Sequence, residues 1–169
     1  ITLFDGQAGL LPEDEEILRR LRVAGFLGRH GSRTPLIAVV NKVDEDMHED
    51  RINSFYDLGI EPLITVSAEH NRGIDELQEA LCEVMTASGV ELLEADDREV
   101  EKLPRIAIVG KPNVGKSTLV NALVGEDRMV TSPIAGTTVD SVDSRVEIDG
   151  YPFLVLDTAG IRRKSKTEQ

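Results

Sequence analysis

Short apolar runs recur along the chain, and helix-period stretches separate them. Thr2-Leu3-Phe4, Pro35-Leu36-Ile37-Ala38-Val39-Val40, Pro62-Leu63-Ile64-Thr65-Val66 and Arg105-Ile106-Ala107-Ile108-Val109 are rich in apolar, mostly β-branched residues. Runs without polar alternation predict strands buried on both faces, as in parallel sheets covered by helices. Between them, Pro12 followed by Glu13 to Glu16 predicts a helix opening, with Ile17, Leu18 and Leu21 inward. Residues 25–34 read as loop and 48–59 as a short helix closing at Gly59. Ile74 to Met85 predicts an amphipathic helix with Ile74, Leu77, Leu81 and Val84 inward. Further on, Ser141–Ile148 and Phe153–Leu156 flank Asp149-Gly150, the signature of a tight antiparallel hairpin. The pattern predicts an α/β fold of three layers, helix on sheet on helix, its sheet mostly parallel with one antiparallel hairpin.

Composition narrows the picture slightly. The 169 residues suffice for one domain with a substantial core, and no apolar run approaches membrane-span length. No secretion signal is visible, and one cysteine, Cys82, fits a reducing, cytoplasmic setting. The chain opens at Ile1 rather than methionine, which predicts a processed, excised or truncated product. His30, His48 and His70 lack metal-ligand spacing. Net charge is −12, carried by residues 1–104 with 23 acids and 10 bases, against 8 and 9 in residues 105–169. Such a first part is ill suited to broad contact with a phosphate backbone. A nucleic-acid contact would fall to Arg162-Arg163-Lys164-x-Lys166, which reads equally well as a solvated tail. Residues 89–104, with six acids and two bases, read as a linker closed by Pro104.

Candidate chemistry begins where the fourth apolar run ends, at Gly110-Lys111-Pro112-Asn113-Val114-Gly115-Lys116-Ser117-Thr118. Strand, glycine-bounded loop and helix start arrive in the order of a phosphate-binding P-loop. Backbone N–H groups from Asn113 to Thr118 would cradle α- and β-phosphates at a helix N-terminus. Lys116 would reach the β- and γ-phosphates, and Ser117 would ligate Mg²⁺. Asn41-Lys42-Val43-Asp44 ends the second run. There Asp44 could accept two bonds from guanine N1–H and the 2-amino group, and Asn41 could bond the base edge and loop backbone. The Lys42 stem could cover a ring face. Ser67-Ala68-Glu69 ends the third run, with the Ala68 N–H available to guanine O6. In Gly136-Thr137-Thr138, Thr138 could close onto Mg²⁺ and the γ-phosphate. Asp157-Thr158-Ala159-Gly160 would add water-mediated Mg²⁺ contact by Asp157 and γ-phosphate sensing by the Gly160 N–H.

These five motifs resemble those of Ras-like GTPases, but with the base-reading pair ahead of the phosphate motifs. Permuted GTPases have that order within one domain, and tandem GTPases have it across a domain boundary. D-G-Q-A-G-L-L-P-E-D-E-E-I, V-N-K-V-D and S-A-E-H-N-R-G-I resemble the later half of the first G domain of the Der (EngA) tandem-GTPase family. G-K-P-N-V-G-K-S-T, P-I-A-G-T-T and D-T-A-G-I-R-R-K resemble the opening half of its second G domain. Val139 departs from the arginine usual there.

The resemblance implies a P-loop, Ras-like G domain with circularly permuted motifs: residues 1–88 supply base reading, 89–104 a linker, and 105–169 the P-loop, switch and D-T-A-G motifs. The two parts are expected to pair into one domain with Asp44 near Gly115, as a monomer or a domain-swapped dimer. The implied function is GTP binding and hydrolysis within a ribosome-assembly factor, the large subunit or its rRNA being the parent protein's partner and no membrane being involved. Lys116 and Mg²⁺ would spread charge on the γ-phosphate, and Asn113 is where similar GTPases hold potassium. Ile161 stands where Ras-type enzymes place a water-orienting glutamine, so the alternatives are a nucleotide-responsive module without useful turnover and an incomplete fragment whose halves form no site.

Overall fold

The structure is a computed structural model that describes residues 1–26, 34–44, 49–89, 103–124 and 144–156. Its elements run β1 (Thr2–Asp5), α1 (Pro12–Val23), β2 (Ala38–Asn41), α2 (Glu49–Tyr56), β3 (Leu63–Thr65), α3 (Ile74–Ala87), β4 (Arg105–Ile106), α4 (Lys116–Val124), β5 (Ser144–Ile148) and β6 (Tyr151–Val155). The first three strands form a parallel sheet in the order β1-β2-β3. The last three form a mixed sheet, β4-β6-β5, with β4 parallel and β5 antiparallel to β6.

The sheets meet edge to edge beyond β4. Val109 bridges Thr2 in parallel; the Leu3 N–H donates to the Val109 carbonyl at 2.7 Å, and the Val109 N–H to that of Ile1 at 2.9 Å. Six strands therefore lie in the order β5-β6-β4-β1-β2-β3, with β4 from the second part of the chain beside β1 from the first.

Alternation within the apolar runs explains how both faces are buried. Leu3 and Val39 point to a face where α3 and α4 supply Leu77, Leu81, Leu119 and Leu123, with Ile108 and Phe153 beside them. Phe4 and Val40 point the other way, to Leu18 of α1 and Phe55 of α2. The Phe4 and Phe55 rings stand 5.5 Å apart. The first of these cores draws on both parts of the chain, so neither buries its apolar face alone.

Candidate functional site

The chain leaves Val109 through a loop whose shape depends on two glycines. A Cβ on Gly110 would lie 2.5 Å from the Leu3 carbonyl oxygen, and one on Gly115 would collide with Asn41 Nδ2. Gly115 also takes φ 98°, and Asn113 takes φ 62°. Such left-handed steps before a helix turn successive N–H groups toward one concavity, the geometry of an anion nest. The helix starts at once, the Leu119 N–H donating to the Gly115 carbonyl at 2.8 Å. Lys116 Nζ lies over the loop, donating to the carbonyls of Gly110 (2.9 Å) and Lys111 (2.6 Å). Partial burial lowers its pKa from the ordinary lysine value. Ser117 is half-buried and Thr118 exposed in the first turn of α4.

The motif at the end of β2 lies directly against this loop. Asn41, 3% exposed, donates from Nδ2 to the Val114 carbonyl and accepts from the Ala68 N–H at Oδ1, both at 3.0 Å. Its amide therefore joins three segments: the strand end carrying N-K-x-D, the Ser67-Ala68 turn and the P-loop. The Ala68 N–H expected to face a base oxygen is thus donated to Asn41, and a base would share that donor. Ser67 is buried, its turn closed by paired Ser67 and Arg72 N–H···O bonds of 3.0 and 3.1 Å. Lys42 Nζ donates to Asp5 Oδ2 at 2.5 Å and to the Asn113 carbonyl at 3.0 Å. Burial pushes the Asp5 carboxyl upward, but bonds from Lys42 and from the Ala8 and Gln7 backbone outweigh it, leaving the pKa below the ordinary value. Asp44 receives Gln7 Nε2 at 2.9 Å, and a cleft of about 490 Å³, lined by Val43, Asp44, Thr65, Ser67, Arg72 and Glu76 among others, opens beside it.

The structure thus brings together Asn41, Lys42, Ser67, Ala68, Asn113, Val114, Gly115 and Lys116, with Ser117 and Thr118 on the adjoining helix turn. Thr138, Asp157 and Gly160 lie outside the described residues, as do Ile161 and the basic cluster after it. Among the described residues, no group of three or more His, Cys, Asp or Glu side chains could hold a metal ion. No helix there is long and apolar enough to cross a membrane. Sequence reasoning missed the side-chain partners around the loop: Gln7 on Asp44, Asp5 on Lys42, and Asp14, which accepts Lys111 Nζ at 2.8 Å. Only the acidic first turn of α1 drew notice to Asp14, and no local pattern signals a partner 97 positions away.

A P-loop between a strand and a helix, in an α/β sheet whose strand ends carry N-K-x-D and S-A motifs, defines a P-loop GTPase fold. Comparison with known proteins agrees. The family model described as 50S ribosome-binding GTPase matches residues 105–169. Over all 169 residues the chain is 47% identical to the GTPase Der of Geobacter metallireducens and 46% identical to that of Geotalea daltonii, covering 35% of each. It is 41% identical to the GTPase Der of Clostridium kluyveri, again across its full length and 35% of that protein. The Der resemblance carried by the motifs is therefore borne out over the whole chain. The chain is similar to these GTPase Der sequences along its whole length and spans about a third of the length of the relatives it matches.

Proposed function

We propose that the two parts of the chain build one permuted G domain with a single guanine-nucleotide site, and that it hydrolyses GTP in the service of ribosome assembly. The observation that carries this is Asn41, whose buried amide ties the base-reading segments to the P-loop through two 3.0 Å bonds. The loop fits a phosphate chain: its glycines leave room that a Cβ would fill, and a lysine ammonium stands over it. Asp44 would read the guanine N1–H and 2-amino group, discriminating against adenine because a buried acceptor would lose its donors. Ser117 would hold Mg²⁺ together with Thr138 and Asp157, and Asn113 would hold K⁺; the divalent ion supplies charge neutralisation on the β- and γ-phosphates. Lys116 would exchange its loop carbonyls for phosphate oxygens, and the Gly160 N–H would follow the γ-phosphate. The family description supports the ribosomal role, with the large subunit as partner, and the cytoplasm is the setting that goes with it in this reading.

Ile161 favours a second reading, a nucleotide-responsive module that binds without turnover, since isoleucine cannot orient the attacking water. Binding of a fluorescent GDP, with ADP as competitor, tests the shared site. Asp44→Asn should weaken GDP by roughly 10- to 100-fold, the value of a charged hydrogen-bonded pair. Binding indifferent to Asp44 would refute the shared site. Steady phosphate release from GTP separates the enzyme from the module.

A further inference from the structure

Among the described residues, side chains of the first part of the chain grip the P-loop at three points, and two of them belong to the N-K-x-D motif. Asn41 holds the Val114 carbonyl and Lys42 that of Asn113. The third grip is the ion pair between Lys111 Nζ and Asp14 Oδ2, with side chains only 13% and 1% exposed. Asp14 is the third residue of α1, and the same Oδ2 accepts the Leu11 N–H at 3.1 Å at the head of that helix. Its Oδ1 is buried and has no hydrogen-bond partner among the described residues. A buried, half-satisfied carboxylate is tolerated only beside a counter-charge, so α1 and the loop hold each other in register. Lys111 is also held through its main chain, its carbonyl accepting Lys116 Nζ at 2.6 Å.

We propose that Asp14, through Lys111, is a positioning residue for the phosphate-binding loop: it sets where the Lys111 carbonyl lies and hence how the Lys116 ammonium is aimed. The proposal deepens the guanine-nucleotide reading and rests on it for its effect on ligand affinity. The loop geometry itself does not depend on any ligand. α1 thereby becomes a lever on phosphate binding that leaves base reading untouched.

The test compares wild type, Asp14→Asn, Lys111→Arg and the double variant Asp14→Asn/Lys111→Met, which removes the pair without stranding a buried charge. In nucleotide-free protein, hydrogen exchange of the Leu119 amide, which donates to the Gly115 carbonyl at the end of the loop, should quicken about tenfold or more in Asp14→Asn and the double variant, the effect of one charge-assisted hydrogen bond. Exchange at Val39 to Asn41 should stay put, and Lys111→Arg should restore the loop. GDP affinity should fall by a similar factor while preference for GDP over ADP is unchanged. Unaltered Leu119 exchange in both neutralised proteins, or equal quickening at Val39 to Asn41, would overturn the proposal. If wild type shows no GDP binding but the exchange pattern holds, the nucleotide reading falls and the positioning role stands.

Discussion

Replacing Asn41 by alanine removes a single buried side chain that serves two segments at once. The Val114 carbonyl and the Ala68 N–H each lose a 3.0 Å partner in a buried setting. A stranded buried group costs roughly 1–3 kcal/mol, so the pair should cost about 2–6 kcal/mol. The loss of side-chain volume beside Gly115 keeps the sum from the lower end. In a domain of this size each kcal/mol lowers Tm by roughly 2–4 °C, giving a fall of about 10 °C. Urea unfolding followed by circular dichroism reads the loss directly, and wild type should unfold in one transition because both parts of the chain share a core. Asn41→Asp sharpens the test. It keeps an acceptor for Ala68 but sets a carboxylate oxygen against the Val114 carbonyl. Burial and that facing dipole would raise the new carboxyl's pKa in the folded state, so its penalty is absent when both states are protonated and grows as pH rises above the ordinary aspartate value. The variant should therefore regain stability toward acid relative to wild type. A loss under about 1 kcal/mol in Asn41→Ala, or two separate transitions in wild type, would refute the reasoning.

Gly115→Ala should cost about 2 kcal/mol or more, since φ 98° strains any L side chain and the new methyl displaces the Asn41 amide; wild-type stability by urea titration would contradict this. The Asp5 carboxyl lies below its ordinary pKa, so its bond to Lys42 adds stability that is full above the unfolded value and lost as pH falls through the folded one. The urea midpoint should thus fall through that acid window, and Lys42→Met should flatten this part of the profile.

What the sequence made legible is what local physics controls. Continuous apolar runs gave the buried strands because Leu3 and Phe4, or Val39 and Val40, each face a different helix layer. Asp149-Gly150 gave the hairpin because both residues take positive φ, 51° and 81°, as the favoured two-residue turn requires. Strand ends were less sharply fixed. The run from Arg105 to Val109 carries a strand only through Ile106, then a single bridge at Val109, because its neighbour changes there from β6 to β1. Motif chemistry placed the loop and the strand end carrying N-K-x-D, but not the commitment of the Ala68 N–H to Asn41. That bond depends on how two strand ends and a loop converge, and neither Asn41 nor Ala68 announces it.

Charge shows the same division between composition and arrangement. A strongly acidic first part looks like a poor neighbour for a phosphate loop, yet three of its described carboxylates around the site are individually answered. Asp5 meets Lys42 at 2.5 Å, Asp14 meets Lys111 at 2.8 Å, and Asp44 accepts Gln7 beside a cleft. Two of these acids are thereby turned from repulsive charges into anchors, because each holds an ammonium whose residue either touches the loop or belongs to it. Coulomb repulsion falls steeply once a carboxylate is paired at contact distance, so the balance of the whole chain says little about the field inside the loop. Among the described residues Lys116 has no carboxylate partner and is held by two loop carbonyls, which leaves its charge to face a ligand. The same pairings explain why the loop's shape depends on a segment far away in sequence: acids that would repel a phosphate if left open instead fix the backbone that would receive it.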